Sequence, residues 1–357
     1  MSYKPQYSAF SAYLANLNPK KAAEKTYTGR AVSETEIERN ADLLWAHTLE
    51  KDPERDFVIL NITDVHLADI GERVKQGNET LKTLDALIRD VNPDLITVTG
   101  DIVCDDATYH AIRRFTDFME SFDIPWAPIF GNHDDEGNCD LSYLADIMLN
   151  SPHCIMKKGD PAMGVGNYVI CITEEARIVT ALFMMDSHHG LVNAQQVDWF
   201  SSLAAQIDAE SEGTAEIAVM LHIPTAEFES AYNAAYDPET KSFRDGFGAF
   251  GEKYEEVCCA RRDGVPYEEG FFSALKEAGN VKHLICGHEH MNDFSIVWDG
   301  IRLTYTMKVG KSSGYQPGFD GGTVITVGRG GIKRITHKTR KNDTTREFYN
   351  IEDKFLR

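Results

Sequence analysis

The sequence has no CxxC pair, no long apolar run and no low-complexity tract, and it is short of positive charge. Its seven cysteines are an odd number, and only Cys258 and Cys259 are adjacent. That pattern excludes a disulfide framework and fits a reducing compartment. No stretch approaches the ~20 apolar residues of a membrane span. The opening segment, MSYKPQYSAFSAYLANLNPKK, lacks the apolar run of a signal peptide. The expected location is cytoplasmic, with no membrane partner. Lysine and arginine number 36 against 56 aspartates and glutamates, a formal net charge of −20 over 357 residues. Such a surface repels nucleic-acid backbone, so no nucleic-acid partner is expected. An enzyme handling phosphate on this background needs a local positive field, which bound cations can supply.

Residues 1–52 are polar and mixed, with one amphipathic pattern around Glu34–Leu49, and are expected to form an N-terminal extension. From residue 53 to about 340 the pattern is that of one large domain. The runs DFVILNIT, DLITVT, PWAPIF, IVTALFMM, EIAVML and VKHLIC are short, apolar and β-branched, as buried strands are. Between them, Leu81, Leu84, Leu87, Ile88 and Val91 recur at helical spacing behind Asn78, a candidate N-cap. Ile112, Phe115, Phe118, Met119 and Phe122 mark a second helix. Strand–helix alternation of this kind defines an α/β layered fold. Beyond His290 the pattern becomes strand–turn–strand (FSIVWDG, IRLTYTM, GGTVITV, GIKRITH), which adds antiparallel strands. The stretch 225–269 reads as an insertion over one end of the sheets, where long loops are often functional. Residues 341–357 are expected to be a C-terminal tail.

Five segments share one feature: each begins where an apolar strand ends. They are ITDVHL (Asp64, His66), TGDIV (Asp101), GNHDDE (Asn132, His133, Asp134), MLHIP (His222) and CGHEH (His288, His290). In α/β folds, ligands gather outside the carboxyl ends of strands, so the five can converge on one patch. Imidazole and carboxylate donors suit divalent Mn, Fe or Zn. Each segment also has a bland reading. Asp-x-His and Gly-Asp can be turns, Asn132 can cap a helix, and His222 can be a core histidine. Taken together, the bland readings require five coincidences at one end of one sheet.

The ordered set D-x-H, G-D, G-N-H-D, H and G-H-x-H resembles the calcineurin-like metallophosphoesterase superfamily. The flanking text GNHDDE, LHIPTAEF and GHEHMNDF is similar to the branch containing yeast Dcr2 and the plant purple-acid-phosphatase-like proteins. The resemblance implies a four-layer α/β/β/α sandwich of two mixed β-sheets flanked by helices. It implies a dinuclear metal centre at the strand C-terminal ends. One divalent ion (Mn, Fe or Zn) would be held by Asp64, His66 and His290, the other by Asn132, His222 and His288. Asp101 would bridge them, and His133 would stand beside the leaving-group oxygen. Cys104 occupies the position of the tyrosine that colours true purple acid phosphatases, so a colourless protein is expected.

Two cations about 3.5–4 Å apart clamp both oxygens of an in-line displacement and acidify a bound water towards pKa ~7. A histidine titrating near ~6.5 can protonate the departing alkoxide, the role expected of His133. Asp134 is expected either to orient His133 or to favour a helix N-terminus. The expected activity is hydrolysis of phosphomonoesters by a metal-bound hydroxide, on a small molecule or on phosphoserine or phosphothreonine in a protein. The alternatives are a phosphodiesterase acting on cyclic nucleotides or lipid headgroups, and a non-catalytic scaffold of the same fold. His188-His189 and, in the insertion, Glu227, Arg261, Arg262 and Tyr267 are candidate rim residues. Gly310-Lys311-Ser312 lacks the earlier glycine of a phosphate loop. KRITHKTRK is expected to be a charged edge strand. The oligomeric state is left open.

Overall fold

The computed structural model describes residues 46–68, 71–104, 108–137, 139–262, 265–266, 270–314, 317–341 and 344–350. Its frame is a pair of mixed sheets packed face to face. The first has seven strands in the order β1 (Ala46–Glu50), β5 (Tyr168–Glu174), β6 (Arg177–Met184), β7 (Glu216–Met220), β12 (Val281–Cys286), β14 (Ile301–Tyr305) and β13 (Ser295–Trp298). The second has six, in the order β17 (Thr344–Asn350), β16 (Gly331–Lys341), β15 (Gly321–Gly328), β2 (Phe57–Ile62), β3 (Leu95–Thr99) and β4 (Trp126–Ile129). Pairing is parallel along β2–β3–β4 and along β6–β7–β12–β14, and antiparallel where β15, β16, β17 and β13 join.

Three helices accompany the six-stranded sheet: α1 (Arg73–Val91), α2 (Thr108–Glu120) and α3 (Leu141–Leu149). They contribute Leu84, Ile88, Phe115, Phe118 and Leu144 to a core shared with β2, β3 and β4. A separate core joins the outer face of the seven-stranded sheet to α4 (Ala194–Glu210), α5 (Glu227–Ala235) and α6 (Phe271–Ala278), through Trp199, Phe200, Phe228 and Phe271. The result is the α/β/β/α sandwich of two mixed sheets. No helix of the described residues is long and apolar enough to cross a membrane.

Several boundaries differ from the sequence reading. Helix α1 starts at Arg73, so Asn78 lies inside it, and its Oδ1 accepts a hydrogen bond from the Arg114 guanidinium on α2. The amphipathic pattern over Glu34–Leu49 ends in a strand: β1 pairs in parallel with β5, and Lys51 forms a buried ion pair with Glu174. The sheet therefore begins inside the stretch expected to be an extension, whose first 45 residues lie outside the described ones. KRITHKTRK lies on β16, which has β15 on one side and β17 on the other, so it is not an edge. That second neighbour comes from the expected tail.

The polar content of the core gives a pH prediction. His337 on β16 is fully buried, with Nδ1 2.9 Å from the Thr323 hydroxyl and Nε2 3.1 Å from the Asp293 carbonyl. Burial lowers its pKa from 6.5 to about 4. Between those values the unfolded chain binds a proton that the folded chain does not, so folding stability falls as pH drops from 6.5 towards 4. At about 1.4 kcal/mol per pH unit the loss is about 3 kcal/mol from this group. Urea denaturation across that range should show a shallower acid limb in His337→Gln than in the unaltered protein.

Candidate metal centre

Each of the five motifs follows a strand, and the strands all deliver their loops to one end of the sandwich. Asp64 and His66 follow β2, Asp101 follows β3, Asn132 and His133 follow β4, His222 follows β7, and His288 and His290 follow β12. The loops interlock through the backbone. The Asp64 and His66 N–H groups donate to the carbonyls of Gly100 and Asp101, and the Gly287 N–H donates to that of His222. Asp64, His66, Asp101 and His288 all hold positive φ, between 46° and 79°. Non-glycine residues kept in that region cost about 1–3 kcal/mol each and cluster where structure serves a site.

The glycines of the motifs exist for clearance. Gly100 has φ +84°, and a Cβ there would lie 2.6 Å from the His222 ring. A Cβ on Gly131 would stand 2.3 Å from Asp101 Oδ1 and 2.5 Å from the Asp101 backbone nitrogen. Gly131→Ala is accordingly expected to lower stability by about 1–3 kcal/mol and to disturb the Asp101 carboxylate; denaturant titration paired with metal analysis checks both.

The side chains form two donor groups that share one carboxylate. Asp64, His66, Asp101 and His290 make the first, and Asp101, His222 and His288 the second, with donor atoms in each group within 4.8 Å of one another. Within the first, His66 Nε2 lies 3.1 Å from His290 Nε2 and 3.6 Å from Asp64 Oδ1, and His290 Nε2 lies 3.3 Å from Asp64 Oδ1. In the second, His222 Nε2 lies 3.2 Å from Asp101 Oδ2, which is also 3.4 Å from His66 Nε2. Donors that share a cation at about 2.0–2.2 Å stand about 3 Å apart, so these separations fit divalent ions. The unsatisfied atoms agree. Asp64 Oδ1, Asp101 Oδ2, Asn132 Oδ1 and His222 Nε2 are buried and find no aligned hydrogen bond, although a buried polar atom ordinarily has one.

Electrostatics without cations points the same way. Burial opposes ionisation of Asp64, but the neighbouring His290 and His66 imidazoles hold it well below the usual carboxylate range. Asp101 is likewise held low, against burial, by His222 and His66. Burial alone would depress His222, yet Asp101 and Asp64 raise it to about 10, so a proton stands where a cation's charge would be welcome. His66 and His288 are lowered to about 4, chiefly by burial, which leaves neutral imidazoles ready to ligate.

The supporting residues correct part of the sequence reading. Asp134 does not orient His133: its two oxygens accept from the backbone N–H of Gly131 (2.7 Å) and Val103 (2.9 Å), tying the GNHD loop to the loop after Asp101. No helix starts there either, since α3 begins at Leu141. Burial, reinforced by Asp101, raises the Asp134 carboxyl to about 8. The acid beside His133 is Glu136, whose Oε1 lies 2.6 Å from Nδ1, while the His133 backbone N–H donates to Asp101 Oδ1 at 2.9 Å. Lys308, absent from the sequence reading, is buried and donates from Nζ to the Asp64 carbonyl at 3.0 Å. Burial lowers its pKa to about 8. Gly310 and Ser312 serve the same loop, the first donating its N–H to the Asp64 carbonyl and the second its hydroxyl to the His66 carbonyl.

The rim residues divide. His189 reaches Asp135 at 3.4 Å beside the GNHDDE loop, whereas His188 turns to Asp186 and Gln196. Glu227 starts α5, Arg261 pairs with Glu229 at 3.0 Å, and Tyr267 lies outside the described residues. Nothing is described of the Arg262 side chain. Cys104 is buried with its thiol 3.5 Å from the His66 carbonyl and belongs to neither donor group.

A pair of mixed sheets with shared-carboxylate Asp/His clusters at their strand ends defines the metallophosphoesterase class. The chain matches the calcineurin-like phosphoesterase family over residues 57–292 and belongs to it. Among curated relatives it is 26% identical to "Probable inactive purple acid phosphatase 14" of Arabidopsis thaliana, over 70% of this chain and 69% of that one. It is 24% identical to "Phosphatase DCR2" of Saccharomyces cerevisiae, over 70% of this chain but 47% of that one. In fold it is similar to a dimetal phosphatase from Danio rerio, with a TM-score of 0.55 and 14% identity, over 84% of this chain and 99% of that one.

Proposed function

We propose that this chain is a metal-dependent phosphomonoesterase with two divalent cations, drawn from Mn, Fe and Zn. The observation that carries the reading is the complete donor set with its buried, unsatisfied oxygens and nitrogens. Asp64, His66 and His290 would hold one cation; Asn132, His222 and His288 the other; Asp101 belongs to both. When bound, the cations supply Lewis acidity toward phosphoryl oxygens and make a water acidic enough to yield a nucleophile near neutral pH. Asp134 fixes the approach of the loops carrying Asp101 and Asn132. Glu136 takes the Nδ1 side of His133, which leaves Nε2 facing the site, 4.0 Å from Asp101 Oδ2. His133 is one-third exposed, so it borders both solvent and the donor groups and can hand a proton from Nε2 to a leaving alkoxide. The substrate is a phosphate ester of a small molecule or of a phosphoserine or phosphothreonine in a protein.

Some relatives carry the word "inactive" in their names. In this chain all seven donors and His133 are present, which favours catalysis over a scaffold role. The manganese-loaded protein is expected to hydrolyse p-nitrophenyl phosphate faster than bis-p-nitrophenyl phosphate. Activity confined to the diester would replace this reading with a phosphodiesterase, and inertness toward both and toward a wider panel of phosphate esters would replace it with a scaffold.

A further inference from the structure

We propose that a third cation site, softer than the other two, lies on the outer side of His288 and is formed by Cys258, His288 and Glu289. It goes beyond the phosphomonoesterase reading, which uses neither Cys258 nor Glu289. One donor atom from each of the three residues lies within 4.8 Å of the others. His288 Nε2 is 4.0 Å from Glu289 Oε1, and that oxygen accepts the Cys258 backbone N–H at 2.6 Å, which seats the cysteine over the carboxylate.

The cysteine does not arrive by chance. The segment that carries it is laced to the loop following His288. Asn292 accepts from the Tyr254 and Glu255 N–H groups at 2.8 and 2.9 Å, and Glu255 accepts the Met291 N–H at 3.0 Å. Asp293 accepts the Glu252 N–H at 2.7 Å. Glu289 is 5% exposed, and its carboxylate also stands beside the Tyr305 hydroxyl. A buried carboxylate beside an imidazole and a thiol puts three metal-ligating groups together.

The donor types set the class of ion. Thiolate, imidazole and carboxylate as three protein ligands, with a fourth position open, favour Zn²⁺ and its softer relatives over Mg²⁺ or Mn²⁺. Cys258 is exposed, so ions reach it from solvent, while Cys259 beside it is buried. Binding releases the thiol proton and the N–H proton of the second His288 ring nitrogen to solvent, in exchange for a sulfur–metal and a nitrogen–metal bond, with no change of oxidation state. Because His288 also belongs to the second donor group, filling both sites makes it an imidazolate bridge between two ions.

The test is a Co²⁺ titration of the full chain after chelator treatment, followed by near-ultraviolet absorption and by metal analysis after desalting. Two equivalents are expected without a thiolate-to-cobalt charge-transfer band, and a third with one. Cys258→Ser should lose the band and the third equivalent while keeping the first two, and Glu289→Gln should weaken the third alone. Absence of a thiolate band at excess Co²⁺, or a band that survives in Cys258→Ser, overturns the proposal. If fewer than two equivalents precede the band, the dinuclear reading fails, and the dependence of the band on Cys258 still decides the outer site.

Discussion

Asp101→Asn is expected to cost at least one metal per chain and to lower turnover of p-nitrophenyl phosphate by about 10³-fold, equivalent to about 4 kcal/mol of barrier. Asp101 is the one residue common to both inner donor groups. Its Oδ2 faces His222 Nε2 at 3.2 Å and His66 Nε2 at 3.4 Å, and its Oδ1 accepts the His133 N–H at 2.9 Å. Asparagine can keep the bond to His133 with its carbonyl oxygen. Its amide nitrogen then replaces Oδ2, and it carries no lone pair or charge for a cation. The substitution thus removes the shared ligand and leaves most of the loop geometry in place. Metal analysis, circular dichroism and steady-state rates on the same sample separate loss of cation from loss of fold. Two metals and full turnover in the variant would remove Asp101 from the mechanism.

The six Asp and His residues of the two inner clusters were legible in the sequence because their chemistry coincides with local structure. An apolar strand that runs straight into Asp, Asn or His is a feature of adjacent residues, and five of them in order point to one sheet end. The sheet frame was legible for the same reason, since strand periodicity and apolar runs are local. What was hidden depends on pairing across the chain. Glu136 replaces Asp134 beside His133 because the buried Asp134 is consumed by two backbone donors, one of them on another loop. Lys308 carries no local signal, yet it supports the Asp64 carbonyl from 244 residues away. Asn78 has the look of an N-cap, but its oxygen is taken by Arg114 on the next helix, and α1 extends past it to Arg73. The stretch 225–269 holds α5 and short strand pairs, and its segment around Glu252–Cys258 is fastened to Glu289, Asn292 and Asp293. None of those partnerships follows from spacing.

His133→Asn is expected to leave metal content unchanged and to slow hydrolysis of alkyl phosphates by about 10²–10⁴-fold, the usual contribution of a positioned general acid. The effect on p-nitrophenyl phosphate should be much smaller, because nitrophenolate leaves without help from a proton. The contrast follows from placement. His133 belongs to neither donor group, its ring stands edge-on to His66 at 5.1 Å between centroids, and its Nδ1 is occupied by Glu136 at 2.6 Å. The proton available to a substrate is therefore on Nε2, on the side of Asp101. Glu136→Gln keeps a side chain of the same length but loses the negative charge that accepts the Nδ1 proton when His133 is an imidazolium carrying a second proton on Nε2. It should produce a weaker version of the same leaving-group dependence, by about 10-fold. Plotting rate against leaving-group pKa for the unaltered protein and both variants gives the measurement. A steeper slope in both variants supports proton donation from His133. Equal loss on aryl and alkyl phosphates would instead make His133 a binding residue and leave the leaving oxygen to solvent or to the metals.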